Sequence, residues 1–146
     1  MRKLLLGALL LLSTLSFSQI QKVEIPKPLK ETKVAPMGQF WIGADIYEDG
    51  ALITFQDANF TKITVLRSFR LSLEDFNSLG SILTGDGNKI DDFYTIKTLD
   101  SKTLYLRFGK SFGVVYPVIL LDGDGVKDAK FPNLTKSQIK KLFDLK

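Results

Sequence analysis

Between Gln39 and Leu121 the apolar and β-branched residues come in short runs, several of them closed by a turn signal such as Asp49-Gly50, Asp57-Ala58-Asn59 or Asp100-Ser101-Lys102. Strands joined through so few residues must pair as antiparallel hairpins, because a parallel neighbour requires a crossover of a dozen residues or more. The runs predict strands over Phe40 to Tyr47, Ala51 to Gln56 and Phe60 to Leu71, then over Phe93 to Leu99, Thr103 to Phe108 and Phe112 to Leu121. In the long third strand Ile63, Val65, Phe69 and Leu71 share one face by the period of two. The run from Phe112 is apolar enough to be buried on both faces, with Pro117 arguing for a bulge or an edge position.

Two stretches change period. Ser72 is placed to cap a helix, with Asp75 three residues on, near the positive end of the helix dipole. Leu73, Phe76, Leu79, Ile82 and Leu83 then form one apolar stripe, and Gly85 is suited to a left-handed stop. Thr135 and Gln138 spell a capping box for a last helix, which turns Ile139, Leu142 and Phe143 inward and Lys136, Lys140 and Lys141 to water. The expected fold class is α+β: an antiparallel sheet of about six strands in the order β-β-β-α-β-β-β-α, with two helices packed on the sheet. This order loosely resembles the tandem sheet-plus-helix folds of the Whirly and Pur families. The likeness to these nucleic-acid-binding folds is one of topology alone, with no sequence motif behind it.

The N-terminus reads as a secretory signal peptide over residues 1–18. Arg2 and Lys3 precede an apolar run from Leu4 to Leu12, and Ser16-Phe17-Ser18 places small residues before Gln19. Residues 19–38, with three Pro and four Lys, read as an extended Pro/Lys-rich linker, the alternative being an edge strand at Lys22 to Ile25. A single globular unit is then expected over 39–146, in an exported chain that is periplasmic or secreted. No later stretch is long enough to span a membrane as a helix.

The chain has neither Cys nor His, which excludes disulfides, thiolate zinc sites and Ser-His-Asp or Cys-His nucleophile systems. Stability must come from burial alone. The net charge of +4 rests on 20 basic and 16 acidic residues, and removing Arg2 and Lys3 leaves 18 against 16. Residues 39–134 carry 13 acidic and 10 basic side chains, so the positive charge lies at the two ends. Phosphate binding needs cations gathered on one face, so this distribution argues against nucleic acid as a partner.

The segment Asp122-Gly123-Asp124-Gly125-Val126-Lys127-Asp128 resembles the D-x-D-G-V-x-D core of thrombospondin type 3 calcium repeats, and less closely an EF-hand loop. The resemblance implies a calcium site at Asp122, Asp124 and Asp128. The other reading is a turn after a strand, which uses the same Asp and Gly residues. The acidic loop from Asp86 to Asp92 resembles the end of a calcium loop, but it equally suits a helix stop followed by a strand. Gly109, Lys110, Ser111 and Gly113 lack the phosphate-loop pattern and read as a tight hairpin.

An aromatic and arginine-bearing sheet face is the candidate ligand surface. Trp41 and Tyr47 are an even number of residues apart, as are Tyr105 and Arg107, so each pair shares a strand face that could stack sugars, peptides or bases. Tyr94, Arg67 and Arg70 belong to the same group of residues. No residue set forms a catalytic constellation. The sequence points to a small exported non-enzymatic module that binds an unknown protein, ligand or envelope component. The alternatives are a calcium-stabilised domain, or a small hydrolase working through Asp and Glu carboxylates.

Overall fold

The computed structural model describes residues 25–145. The signal-peptide reading, the start of the linker and most of the alternative strand at Lys22 to Ile25 lie outside the described residues. Eight strands form two antiparallel four-stranded sheets, not one sheet of six. Sheet A is the meander β1 (Lys30–Val34), β2 (Ile42–Tyr47), β3 (Gly50–Gln56) and β4 (Leu66–Leu71), and α1 (Leu73–Thr84) follows it. Sheet B is the meander β5 (Phe93–Lys97), β6 (Thr103–Ser111), β7 (Val114–Gly123) and β8 (Val126–Lys130), followed by α2 (Lys136–Leu142). The chain therefore runs four strands and a helix, twice over.

The two strands beyond the expected six come from segments with little apolar signal. β1 lies in the stretch read as linker, where it pairs with β2 from Lys30↔Ile46 to Val34↔Ile42. Only Thr32 and Val34 turn inward, and Thr32 Oγ1 donates to the Leu142 carbonyl of α2 at 2.8 Å. β8 replaces the expected loop after β7 and is reached through the two-residue turn Asp124–Gly125, with φ of 50° and 72°. Conversely, the long third strand shortens to Leu66–Leu71. Phe60 and Ile63 are exposed, because Asp57 ends β3 in a turn and the chain regains pairing only at Leu66.

Alternation accounts for the core. Ile42 and Ala44 of β2, Ala51, Ile53 and Phe55 of β3, and Phe69 and Leu71 of β4 point to one side of sheet A. Leu104 and Leu106 of β6, with Ile119 and Leu121 of β7, do the same for sheet B. The helices close this core. Ser72 caps α1 by accepting from Asp75 N at 3.0 Å, and Thr135 and Gln138 form the reciprocal box of α2. Phe76 of α1 and Phe143 after α2 meet at 4.7 Å between ring centroids. Gly80 permits this approach, since a Cβ there would stand 2.8 Å from Phe143. The last helix is thus docked through Ile139, Leu142 and Phe143, all buried. Gly85 departs from expectation. Its φ of −63° is not left-handed, and the Asn88 side chain instead donates to the Ile82 and Gly85 carbonyls at the end of α1.

Two corners join the sheets. At one, Leu99 N donates to Arg70 O, and Asp100 accepts from Arg70 N. At the other, Ala58 N donates to Lys130 O at 2.8 Å, and Asn59 Nδ2 to Asp128 O at 2.8 Å. Asp57 holds this second corner. It is only 2% exposed, and its Oδ1 accepts from both Asn59 N and Lys130 N at 3.1 Å. Arg67 faces it with Nε 3.5 Å from Oδ2.

Candidate functional site

Burial divides β7 in a way its composition does not. Only Ile119 and Leu121 enter the core, whereas Val114, Val115 and Tyr116 are exposed and Phe112 stands fully in solvent. The expectation of burial on both faces is therefore wrong. The reason lies in the flanking strands. β6 and β7 pair from Thr103↔Asp122 out to Ser111↔Val114, but β5 covers β6 only as far as Arg107 and β8 begins to cover β7 at Leu120. Residues 108–117 form a two-stranded ribbon with neither neighbour beside it. Pro117 lies in that stretch, flanked by one strand only, a position where a sheet tolerates the missing donor.

The outer face of sheet B collects the aromatic and cationic side chains. Phe93 pairs with Arg107 in register, and Thr95 with Tyr105, so all four point away from the core. The Phe93 and Tyr105 rings are stacked at 6.1 Å with an interplanar angle of 26°. Farther along, Tyr116 lies across Gly109, where an added Cβ would meet the ring at 3.0 Å. Tyr94 turns inward and meets Phe108 edge-on. Tyr105 and Arg107 are thus brought together as the spacing implied. Phe93 is the member that sequence reasoning missed, because cross-strand register is not written in either strand alone.

Trp41 and Tyr47 are elsewhere. Trp41 stands just before β2 and packs half-buried against the core. Tyr47 ends β2 and lines a groove of about 600 Å³ on sheet A with Ile25, Leu29, Leu52 and Arg70. Arg70 faces Asp49 there, with Nη2 3.1 and 3.2 Å from its two carboxylate oxygens. Arg67 is drawn into the corner with Asp57. The candidate aromatic and arginine residues therefore fall on two sheets and form no common surface.

The acidic loops are occupied by local hydrogen bonds. Asp122 Oδ1 accepts from Asp128 N at 2.5 Å, which closes the β7–β8 hairpin. Asp124 sits at the tip of that turn, its Oδ2 4.0 Å from Lys102 Nζ. In the loop after α1, Asp92 accepts from Lys89 N, and Asp86 accepts from Lys136 Nζ at 2.5 Å. Among the described residues, no group of three or more acidic side chains is placed to hold a metal ion.

Two carboxyls titrate away from their ordinary range. The hydrogen bond and charge of Lys136 hold Asp86 low. Burial works to raise Asp100, but bonds from Lys102, the Arg70 backbone and Thr98 outweigh it, and the carboxyl is held low as well. Both groups stay ionised at neutral pH. Among the described residues, no helix is long and apolar enough to cross a membrane. Comparison with known proteins finds no matching family model, no matching curated protein and no matching solved structure.

Proposed function

We propose that the protein is a small exported module, not an enzyme, whose outer face of sheet B binds a partner or ligand at the cell envelope. The observation that carries this reading is the solvent-facing stack of Phe93 on Tyr105 beside Arg107. Flat rings with an adjacent guanidinium recognise planar or ring-shaped groups through stacking and cation–π attraction. The opposite face of the same strand, Leu104 and Leu106, is buried in the core, which fixes the backbone that carries Tyr105 and Arg107.

The test places a photoreactive amino acid at Thr95, opposite Tyr105 on the same face, in the full chain expressed in its native host. The expected result is protein outside the cytoplasm and a crosslinked adduct that Tyr105→Ala with Arg107→Ala removes. Protein retained in the cytoplasm, or an adduct indifferent to those substitutions, would overturn the reading.

A further inference from the structure

The apex of the β6–β7 ribbon stands apart from the face of sheet B and carries a separate observation. We propose that it is a membrane-contact tip: Phe112, Val114 and Val115 enter the apolar margin of an anionic lipid bilayer, and Lys110 meets the phosphate headgroups.

The backbone gives the first argument. Phe112 and Gly113 form the two-residue turn between the strands, with φ of 49° and 83°. Positive φ at both central positions selects Asn, Asp or Gly first and Gly second, and a bulky residue at the first position is strained. Phe112 has a relative exposure of 105%, so no packing within the chain offsets that strain. An unfavourable backbone with no internal compensation points to a use outside the molecule.

The distribution of apolar surface gives the second. Successive strand residues point to opposite faces, and both Val114 and Val115 are exposed, at 65% and 40%. Each face of the ribbon end thus carries an exposed valine, Val114 opposite Ser111 and Val115 opposite Lys110, and Phe112 stands at the apex between them. A groove on another protein would favour apolar residues on one face and polar residues on the other. A lipid phase accepts every direction alike.

Charge gives the third. From Leu104 to Leu121 there is no acidic residue, the cations are Arg107 and Lys110, and Asp86, which lines the groove beside Val114 and Val115, is paired with Lys136. Lys110 lies opposite Val115, two residues below the apex or about 7 Å at ordinary strand rise. An interfacial segment sinks about 5–10 Å, which leaves the ammonium at the level of the headgroups, where anionic lipid attracts it.

The experiment mixes the full chain with vesicles of pure phosphatidylcholine, or with vesicles in which about a third of the lipid is phosphatidylglycerol. Phe112→Trp is read by quenching with brominated lipid, against the wild-type chain whose one tryptophan is Trp41. Quenching of the added fluorescence is expected on anionic vesicles, with affinity about fivefold lower for Lys110→Gln. Phe112→Asn is the decisive variant. It should bind about tenfold more weakly and yet melt at a higher temperature without lipid, because Asn suits the turn. Tyr105→Ala should bind vesicles as the wild type does, which keeps this test separate from the role of sheet B. Added fluorescence that stays unquenched in Phe112→Trp, or a Phe112→Asn variant that melts lower and binds equally, would overturn the proposal.

Discussion

The two ends of β7 are built from similar residues and have opposite fates. At one end Ile119 and Leu121 are buried, and β8 and the Asp57 corner lie alongside. At the other, Val114 and Val115 are exposed, β6 is the sole neighbouring strand, and only an open groove separates them from the end of α1 and the start of α2. Each end finishes in a two-residue turn with positive φ at both positions. The covered end uses Asp124–Gly125, residues suited to that backbone, and the free end uses Phe112–Gly113. Hydrophobicity along a strand therefore does not say which half is buried. That depends on how far the neighbouring strands extend.

The largest effect expected of a single change is at the covered end. Asp57→Ala removes the acceptor of two backbone N–H groups and leaves Arg67 without its counter-charge, so it should cost about 3–5 kcal/mol in urea unfolding. A loss below about 1 kcal/mol would show that the corner is held by its backbone bonds alone. A direct comparison of the two ends comes next. Ile119→Ala should cost about 2–5 kcal/mol, as buried truncations do, while Val115→Ala should stay within about 0.5 kcal/mol. Equal costs would mean that the ribbon packs against something within the molecule.

A smaller effect depends on pH. The folded carboxyl of Asp100 is held below its ordinary 3.8, so its contribution is complete above that value and disappears as the pH falls through the folded pKa. Asp100→Asn should therefore destabilise at about pH 7 and matter little at about pH 2, as urea midpoints at the two values would show. A difference that persists at the acidic end would mean the side chain acts through shape rather than charge. The smallest effect concerns the turn at the covered end. Millimolar calcium should leave the melting temperature unchanged. A rise that Asp124→Ala abolishes would establish a site through linkage.

The elements legible in the sequence are those whose signal is local. Ser72 with Asp75, and Thr135 with Gln138, mark helix starts through bonds spanning three residues. The period of two in β6 places Leu104 and Leu106 inward and Tyr105 and Arg107 outward. The elements that escaped depend on distant partners. β1 has two inward side chains among charged ones, and β8 buries only Ala129 fully. These strands exist because β2 and α2, and β7 with the Asp57–Asn59 turn, offer them hydrogen bonds. Asp57 read as an ordinary turn residue for the same reason. Its acceptors are used by Lys130, 73 positions away. The candidate surface was half legible, since Phe93 joined it only through register. The exposed tip had one local sign, an aromatic residue before a glycine where two alternating runs meet.

The bond from Thr32 to the Leu142 carbonyl spans 110 positions, and it bears on the order of events during synthesis. The first strand of sheet A finds part of its support in the last helix, so a chain leaving the ribosome cannot finish its fold until residue 142 has been made. Long-range closure of this kind slows folding. Under the export proposed above, that delay would keep the chain in a state that can still be threaded through a narrow channel.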